Sequence, residues 1–234
     1  MIPFSVEHFA LSEVGPVRKN NEDAFCALQE QHFYALADGM GGHNAGEIAA
    51  QVAVHVMSNA VETFPHTEDL HANASFLRKS VLSANRQIYA LSKKNEAYQG
   101  MGTTLSCFVL RDNALIYAHV GDSSLYQMRG RLRRVTQDHS LRSHEEGIAG
   151  HRNVLTRALG TQMHTLPELG HVPLHSGDLY LLCSDGLSDF ISHRELSSLL
   201  SSNNFLEQMG KDLLSTALKN GSNDNITLLL IRIM

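Results

Sequence analysis

Four aspartates, Asp38, Asp122, Asp185 and Asp224, each stand where an apolar run meets a turn, three of them beside a glycine. Asp38-Gly39 follows Phe33-Tyr34-Ala35-Leu36, and Asp185-Gly186 follows Leu179-Tyr180-Leu181-Leu182-Cys183. Asp224-Asn225 instead opens the run Ile226-Thr227-Leu228-Leu229-Leu230. Carboxylates at the rim of a buried sheet are costly unless a positive charge gathers them. Hard oxygen ligands without nearby cysteine or paired histidine point to Mg²⁺ or Mn²⁺. A single Asp-Gly is usually only a turn. Joint placement at strand ends makes a metal-dependent enzyme the leading reading.

The remaining composition narrows the class. The chain has 234 residues, 43% hydrophobic and 18% charged, enough for a substantial core. A net charge of −5 argues against nucleic acid as the main partner, because a phosphate backbone demands a basic surface. No apolar stretch approaches a membrane span, and the start, Met1-Ile2-Pro3-Phe4, lacks a secretion signal's basic and apolar regions. Cys26, Cys107 and Cys183 lie in apolar, strand-like runs without paired spacing. That suggests buried, inert thiols in a reducing cytoplasm rather than a disulfide framework or a zinc site.

The pattern along the chain predicts an α+β fold, read as one domain over residues 1–234. Asn44 and Glu47 resemble a capping box before the apolar stripe Ile48, Ala49, Val52, Ala53, Val56, Met57, Ala60, Val61 and Phe64. Leu77, Val81, Ala84, Ile88 and Leu91 mark a second helix ending near Lys93-Lys94, with shorter ones expected around 193–202 and 205–219. Leu105–Leu110 with Leu115–Val120, and Leu125–Met128 with Leu132–Val135, read as hairpins. Short turns imply antiparallel sheets with helices outside. If the last strand runs antiparallel to the others, the four carboxylates meet at one rim.

Six motifs in order carry a resemblance that spans nearly the whole chain. They are Gly15-Pro16-Val17-Arg18-Lys19-Asn20-Asn21-Glu22-Asp23, Ala37–His43 with Gly46-Glu47, and Gly102-Thr103-Thr104-Leu105. Val120-Gly121-Asp122-Ser123, Cys183-Ser184-Asp185-Gly186-Leu187 and Asp224-Asn225-Ile226-Thr227 complete the set. The chain resembles the metal-dependent serine/threonine protein phosphatases of the PPM, or protein phosphatase 2C, type in their compact bacterial form.

That resemblance implies a sandwich of two antiparallel β-sheets flanked by α-helices (αββα), with a binuclear Mn²⁺ or Mg²⁺ centre at one end. Asp38 would bridge both ions, the Gly39 carbonyl would ligate the second, and Asp185 and Asp224 would complete the first. Asp122, with Asp185, would hold a third, weaker ion. Glu22 and Asp23 would position metal-bound water. Hydroxide generated at the metals would attack the phosphoryl group of phosphoserine or phosphothreonine in proteins. Arg18 would grip the phosphate, and His43 would give a proton to the departing oxygen. Expected partners are phosphorylated protein substrates, a bacterial serine/threonine kinase among them, engaged by a cytoplasmic monomer.

Two departures from the family stand out. The segment Leu141–Asn153 is shorter than the usual flap, and Ser124 stands where an arginine commonly follows Gly-Asp-Ser, with only local effects expected. His144 and His151 are seven apart, not the four that align zinc ligands on a helix, so a zinc motif is rejected. The run Arg129, Arg131, Arg133 and Arg134 reads as a solvated hairpin, with docking of acidic partners as the alternative. A catalytically dead phosphoprotein binder and a phosphatase of small esters are the competing functions. No core aspartate is missing, which disfavours the first of them.

Overall fold

The computed structural model describes residues 4–41, 45–142, 153–202 and 204–234. Its elements in chain order begin β1 (Val6–Glu13), β2 (Asp23–Leu28), β3 (Phe33–Met40), α1 (Ala45–Thr63) and α2 (Leu70–Lys94). They continue β4 (Gly102–Thr103), β5 (Leu105–Arg111), β6 (Ala114–Val120), β7 (Ser124–Arg129), β8 (Arg131–Arg134), β9 (Ser140–Arg142), β10 (Asn153–Leu155) and β11 (Glu168–Pro173). The chain closes with β12 (Leu179–Cys183), α3 (Asp185–Ser188), α4 (His193–Leu200), α5 (Leu206–Lys219) and β13 (Ile226–Ile233). Both hairpins and all four expected helices are present.

Two antiparallel sheets form the centre. One has the order β1-β13-β12-β7-β8, the other β11-β6-β5-β3-β2, with β4 paired to β3. Alternate residues of each strand enter different cores, as pleating requires. In β3, Phe33, Ala35 and Ala37 pack with α1 and α2, while Tyr34 and Leu36 face the second sheet. In β13, Ile226, Leu228 and Leu230 join the α4–α5 core, while Leu229, Ile231 and Ile233 enter the intersheet core. Both faces of these strands are buried, so they read as continuous apolar runs without polar alternation. The intersheet layer is aromatic at its middle: Tyr34, Phe108 and Tyr180 stack in sequence, with centroids 5.2 and 6.2 Å apart. The result is the expected αββα sandwich.

Local chemistry sets the helix ends. Asp69 caps α2 by accepting from the His71 and Ala72 amides at 2.8 and 3.2 Å, and Lys93 and Lys94 occupy its last turn. That cap starts the helix at Leu70, earlier than the apolar stripe alone indicates. Ser192 and Glu195 form a reciprocal capping box on α4. Asn44, the expected cap of α1, lies outside the described residues.

The arginine run departs from expectation. Arg129 forms a fork to buried Asp178 through Nε–Oδ1 and Nη2–Oδ2, both 2.6 Å. Arg133 donates to Gln127 Oε1 at 2.8 Å, and Arg134 pairs with Asp138. Three of the four guanidiniums therefore hold internal partners rather than forming a solvated face. Around the segment expected to form a shortened flap, β9 and β10 pair, and residues 143–152 lie outside the described residues.

Candidate metal centre

The ladders bring the aspartates to one rim. Cys183 pairs with Leu228 across β12 and β13, so the exit of β12 and the entry of β13 share an end. Cys183 also pairs with Ser124, which places the Asp122 turn beside Asp185. In the other sheet, Asp23 pairs with Asp38 across β2 and β3, and Leu105 with Val120 across β5 and β6. Arg18, Glu22, Asp38, Gly39, Asp122, Asp185 and Asp224 all line one cavity of about 250 Å³. Asp23 lies directly behind it, and His43 lies outside the described residues.

Asp38 is not at the end of its strand. β3 continues to Met40, because Gly39 and Met40 pair with Thr103 and Gly102 of β4. Its backbone is held on both sides, as its N–H donates to Thr104 Oγ1 at 2.9 Å and its carbonyl accepts from Thr104 N at 2.8 Å. Glycine at 39 is sterically required, since a Cβ there would come within 2.2 Å of the Gly46 carbonyl oxygen. Gly186 is fixed likewise, with the Asn225 carbonyl 2.0 Å from where its Cβ would lie.

Asn225 organises the rim, a role the sequence motif did not disclose. Its Nδ2 donates to the carbonyls of Val14 and Asn20 at 2.8 and 2.9 Å, and its Oδ1 accepts from Glu22 N at 2.9 Å. The loop before β2 is thereby pinned beside Asp224. Glu22 in turn accepts from Gly39 N through its carbonyl at 3.0 Å. Ser184 Oγ donates to Asp23 Oδ2 at 2.9 Å and so joins the two sheets. Arg18 Nη2 meets Asp224 Oδ2 at 2.7 Å, with the side chains 49% and 30% exposed. Such a pair contributes at most about 1 kcal/mol, so its importance is positional.

Electrostatically the cluster is short of positive charge. Burial raises the Asp38 carboxyl well above the ordinary carboxylate range, and Asp23, Asp185, Asp122 and Asp224 add repulsion. Burial, then Asp122 and Asp224, pushes Asp185 up to about 8. Asp23 is raised to about 6, chiefly by burial, against hydrogen bonds from Thr227 and Ser184. Its Oδ1 is buried with no hydrogen-bond partner. Burial also raises Glu22, with Asp224 and Glu47 adding to the effect and Arg18 opposing it. An all-oxygen donor set that repels itself, backed by an orphaned carboxylate oxygen, fits hard divalent cations. Two further clusters, His119–His139–Glu168 and His66–Glu68–Asp112, lie elsewhere. Both nitrogens of His119 already meet Ser106 Oγ and the Gln137 carbonyl, at 2.6 and 2.9 Å.

Comparison with known proteins agrees with this geometry. The protein phosphatase 2C family pattern matches residues 17–230. The serine/threonine phosphatase stp of Listeria monocytogenes is 33% identical over 232 residues, covering 93% of this chain and 92% of that one. The crystal structure of serine/threonine phosphatase Stp1 from Staphylococcus aureus superposes with a TM-score of 0.90 at 32% identity, covering 100% of this chain and 97% of the other. The catalytic domain of the serine/threonine protein phosphatase PstP, solved with two manganese ions, gives a TM-score of 0.87 at 32% identity over 99% of each chain. Family match, sequence identity and superposed fold agree, and the chain belongs to the protein phosphatase 2C family.

Proposed function

We propose that this chain is a metal-dependent protein phosphatase that hydrolyses phosphoserine and phosphothreonine, with residues 1–234 forming one catalytic domain. The observation that carries the reading is the convergence of Asp38, Asp122, Asp185 and Asp224 on one cavity that Arg18 also lines. Asp38, Asp185, Asp224 and the Gly39 carbonyl are assigned to two cations, Mn²⁺ or Mg²⁺, and Asp122 with Asp185 to a third. Bound cations supply a nucleophilic water at neutral pH and offset charge on the phosphoryl oxygens.

The chain's own residues do the rest. Arg18 spends one donor on Asp224 and retains others for the non-bridging phosphate oxygens, in a planar fork that lysine lacks. Glu22 and Asp23 sit beside and behind the ligand carboxylates, where they can orient a water and hold its proton. His43 is assigned the proton for the departing serine or threonine oxygen on its place in the motif, a task suited to an imidazole side chain. The cysteines are free and burial raises all three thiols, Cys183 to about 12, which supports a reducing cytoplasm. A monomer acting against a serine/threonine kinase completes the reading. No helix among the described residues is long and apolar enough to cross a membrane.

One assay tests it: release of phosphate from a phosphothreonine peptide and from a small alkyl phosphate, with Mn²⁺ titrated and then chelated. Peptide hydrolysis that rises with Mn²⁺ and stops with EDTA is expected. Turnover by the metal-free protein, or activity confined to the small ester, would overturn the reading.

A further inference from the structure

The serine at position 124 leaves a gap in the Gly-Asp-Ser motif that another strand fills. Arg134, the last residue of β8, donates from Nη2 to Ser124 Oγ at 2.6 Å and to the Asp122 carbonyl at 3.3 Å. Its Nη1 donates to Asp138 Oδ2 at 2.8 Å, and Nη2 also meets Asp138 Oδ1, a two-pronged pairing that fixes the guanidinium plane. The arginine and aspartate side chains are 29% and 24% exposed, so solvent weakens the pair less than on an open surface. The guanidinium carbon also lies 5.8 Å from the centroid of the Tyr126 ring.

This clamp bears on Asp122 through the turn that carries it. It holds the backbone at Asp122 and the side chain at Ser124, on either side of a turn whose middle residue is tied by Ser123 Oγ to Thr104 Oγ1 at 2.7 Å.

We propose that Arg134 is a positioning residue for Asp122, acting from β8 in the place that an arginine at position 124 would fill from β7. The inference deepens the proposed function and rests on the assignment of Asp122 to a cation. The expected arginine is thus relocated in space.

Three proteins decide it: the wild type, Arg134→Ser, and the swap Ser124→Arg with Arg134→Ser. Each is titrated with Mn²⁺ by the paramagnetic-resonance signal of the free ion, and kcat and KM are measured on a phosphothreonine peptide. Arg134→Ser is expected to weaken the loosest Mn²⁺ site on the order of tenfold, the usual scale for groups that orient a ligand. The tighter ions should be retained, kcat should fall more than KM changes, and the swap should recover the lost affinity. Wild-type Mn²⁺ affinity at every site of Arg134→Ser overturns the inference, as does a folded swap protein that recovers nothing. If Arg134→Ser does not fold, the swap alone decides: folding with wild-type Mn²⁺ binding supports the inference, and failure of either defeats it. A wild type that binds no loose ion, or hydrolyses nothing, defeats instead the functional reading beneath it.

Discussion

Asp38 and Asp185 are half-buried at the cavity and pressed against like charges, so each is a poor resident of a metal-free protein. Replacing Asp185 by asparagine removes repulsion while deleting a ligand. We expect Asp185→Asn to lower phosphatase activity by more than about 100-fold in saturating Mn²⁺. In EDTA, the same variant should show a higher urea midpoint than the wild type. Activity near the wild-type rate would break the ligand assignment, and a lower midpoint would contradict the repulsion. Asn225 acts by hydrogen bonding rather than charge. It is buried and joins Val14, Asn20 and Glu22. Asn225→Ala should cost about 2 kcal/mol in urea unfolding, since three partly buried hydrogen bonds are lost. It should also weaken phosphopeptide turnover, because Arg18 and Glu22 belong to the loop it pins. The aspartates were legible as candidate ligands because each stands where an apolar run meets a turn. The scaffolding role of Asn225 was not, because its partners lie up to 211 positions away.

At the scale of elements, legibility followed burial. Strands β3, β5, β6, β12 and β13 are buried on both faces and announce themselves as apolar runs. β1 and β11 lie at sheet edges, half exposed, and carry no comparable signal. The single turn of α3 was also invisible in the pattern, since four residues cannot show a helical period. Yet α3 holds Asp185 at its first position, and its Gly186 sits against the Asn225 backbone. Gly186→Ala should therefore push β13 from α3 and reduce both stability and Mn²⁺ binding. Retained Mn²⁺ affinity, measured by calorimetry, would show that the junction tolerates displacement. Arg129 ties β7 to the turn before β12 through Asp178, whose carboxyl is fully buried. Burial alone would raise that carboxyl, but Arg129, Tyr180 and the His175 amide hold it below the ordinary range. Arg129→Ala should cost about 3 kcal/mol by stranding a buried charge. A loss below about 1 kcal/mol, the value of a surface pair, would refute this.

Across the whole molecule, the acidic rim makes folding depend on pH and metal together. Asp185 has a folded value of about 8 against an unfolded carboxyl near 3.8, and Asp23 and Asp122 stand near 6. Between those limits the folded metal-free chain binds more protons than the unfolded chain. Its stability must then fall as pH rises from about 4 to 8, by up to about 1.4 kcal/mol per pH unit for each group involved. Thermal melts in EDTA should show the midpoint dropping across that window, and saturating Mn²⁺ should flatten the slope. A metal-free midpoint that climbs with pH would contradict the arrangement. What the sequence by itself determined was the αββα class, the family motifs and which carboxylates stand at the ends of apolar runs, since buried runs and the turns that bound them are local signals. Only the tertiary structure decided that Asp38 sits within its strand, that Asn225 staples the rim, and that Arg134 reaches Ser124 and the Asp122 carbonyl from β8. Those facts depend on which distant segments meet, and contacts between strands leave no mark in the order of residues along either one.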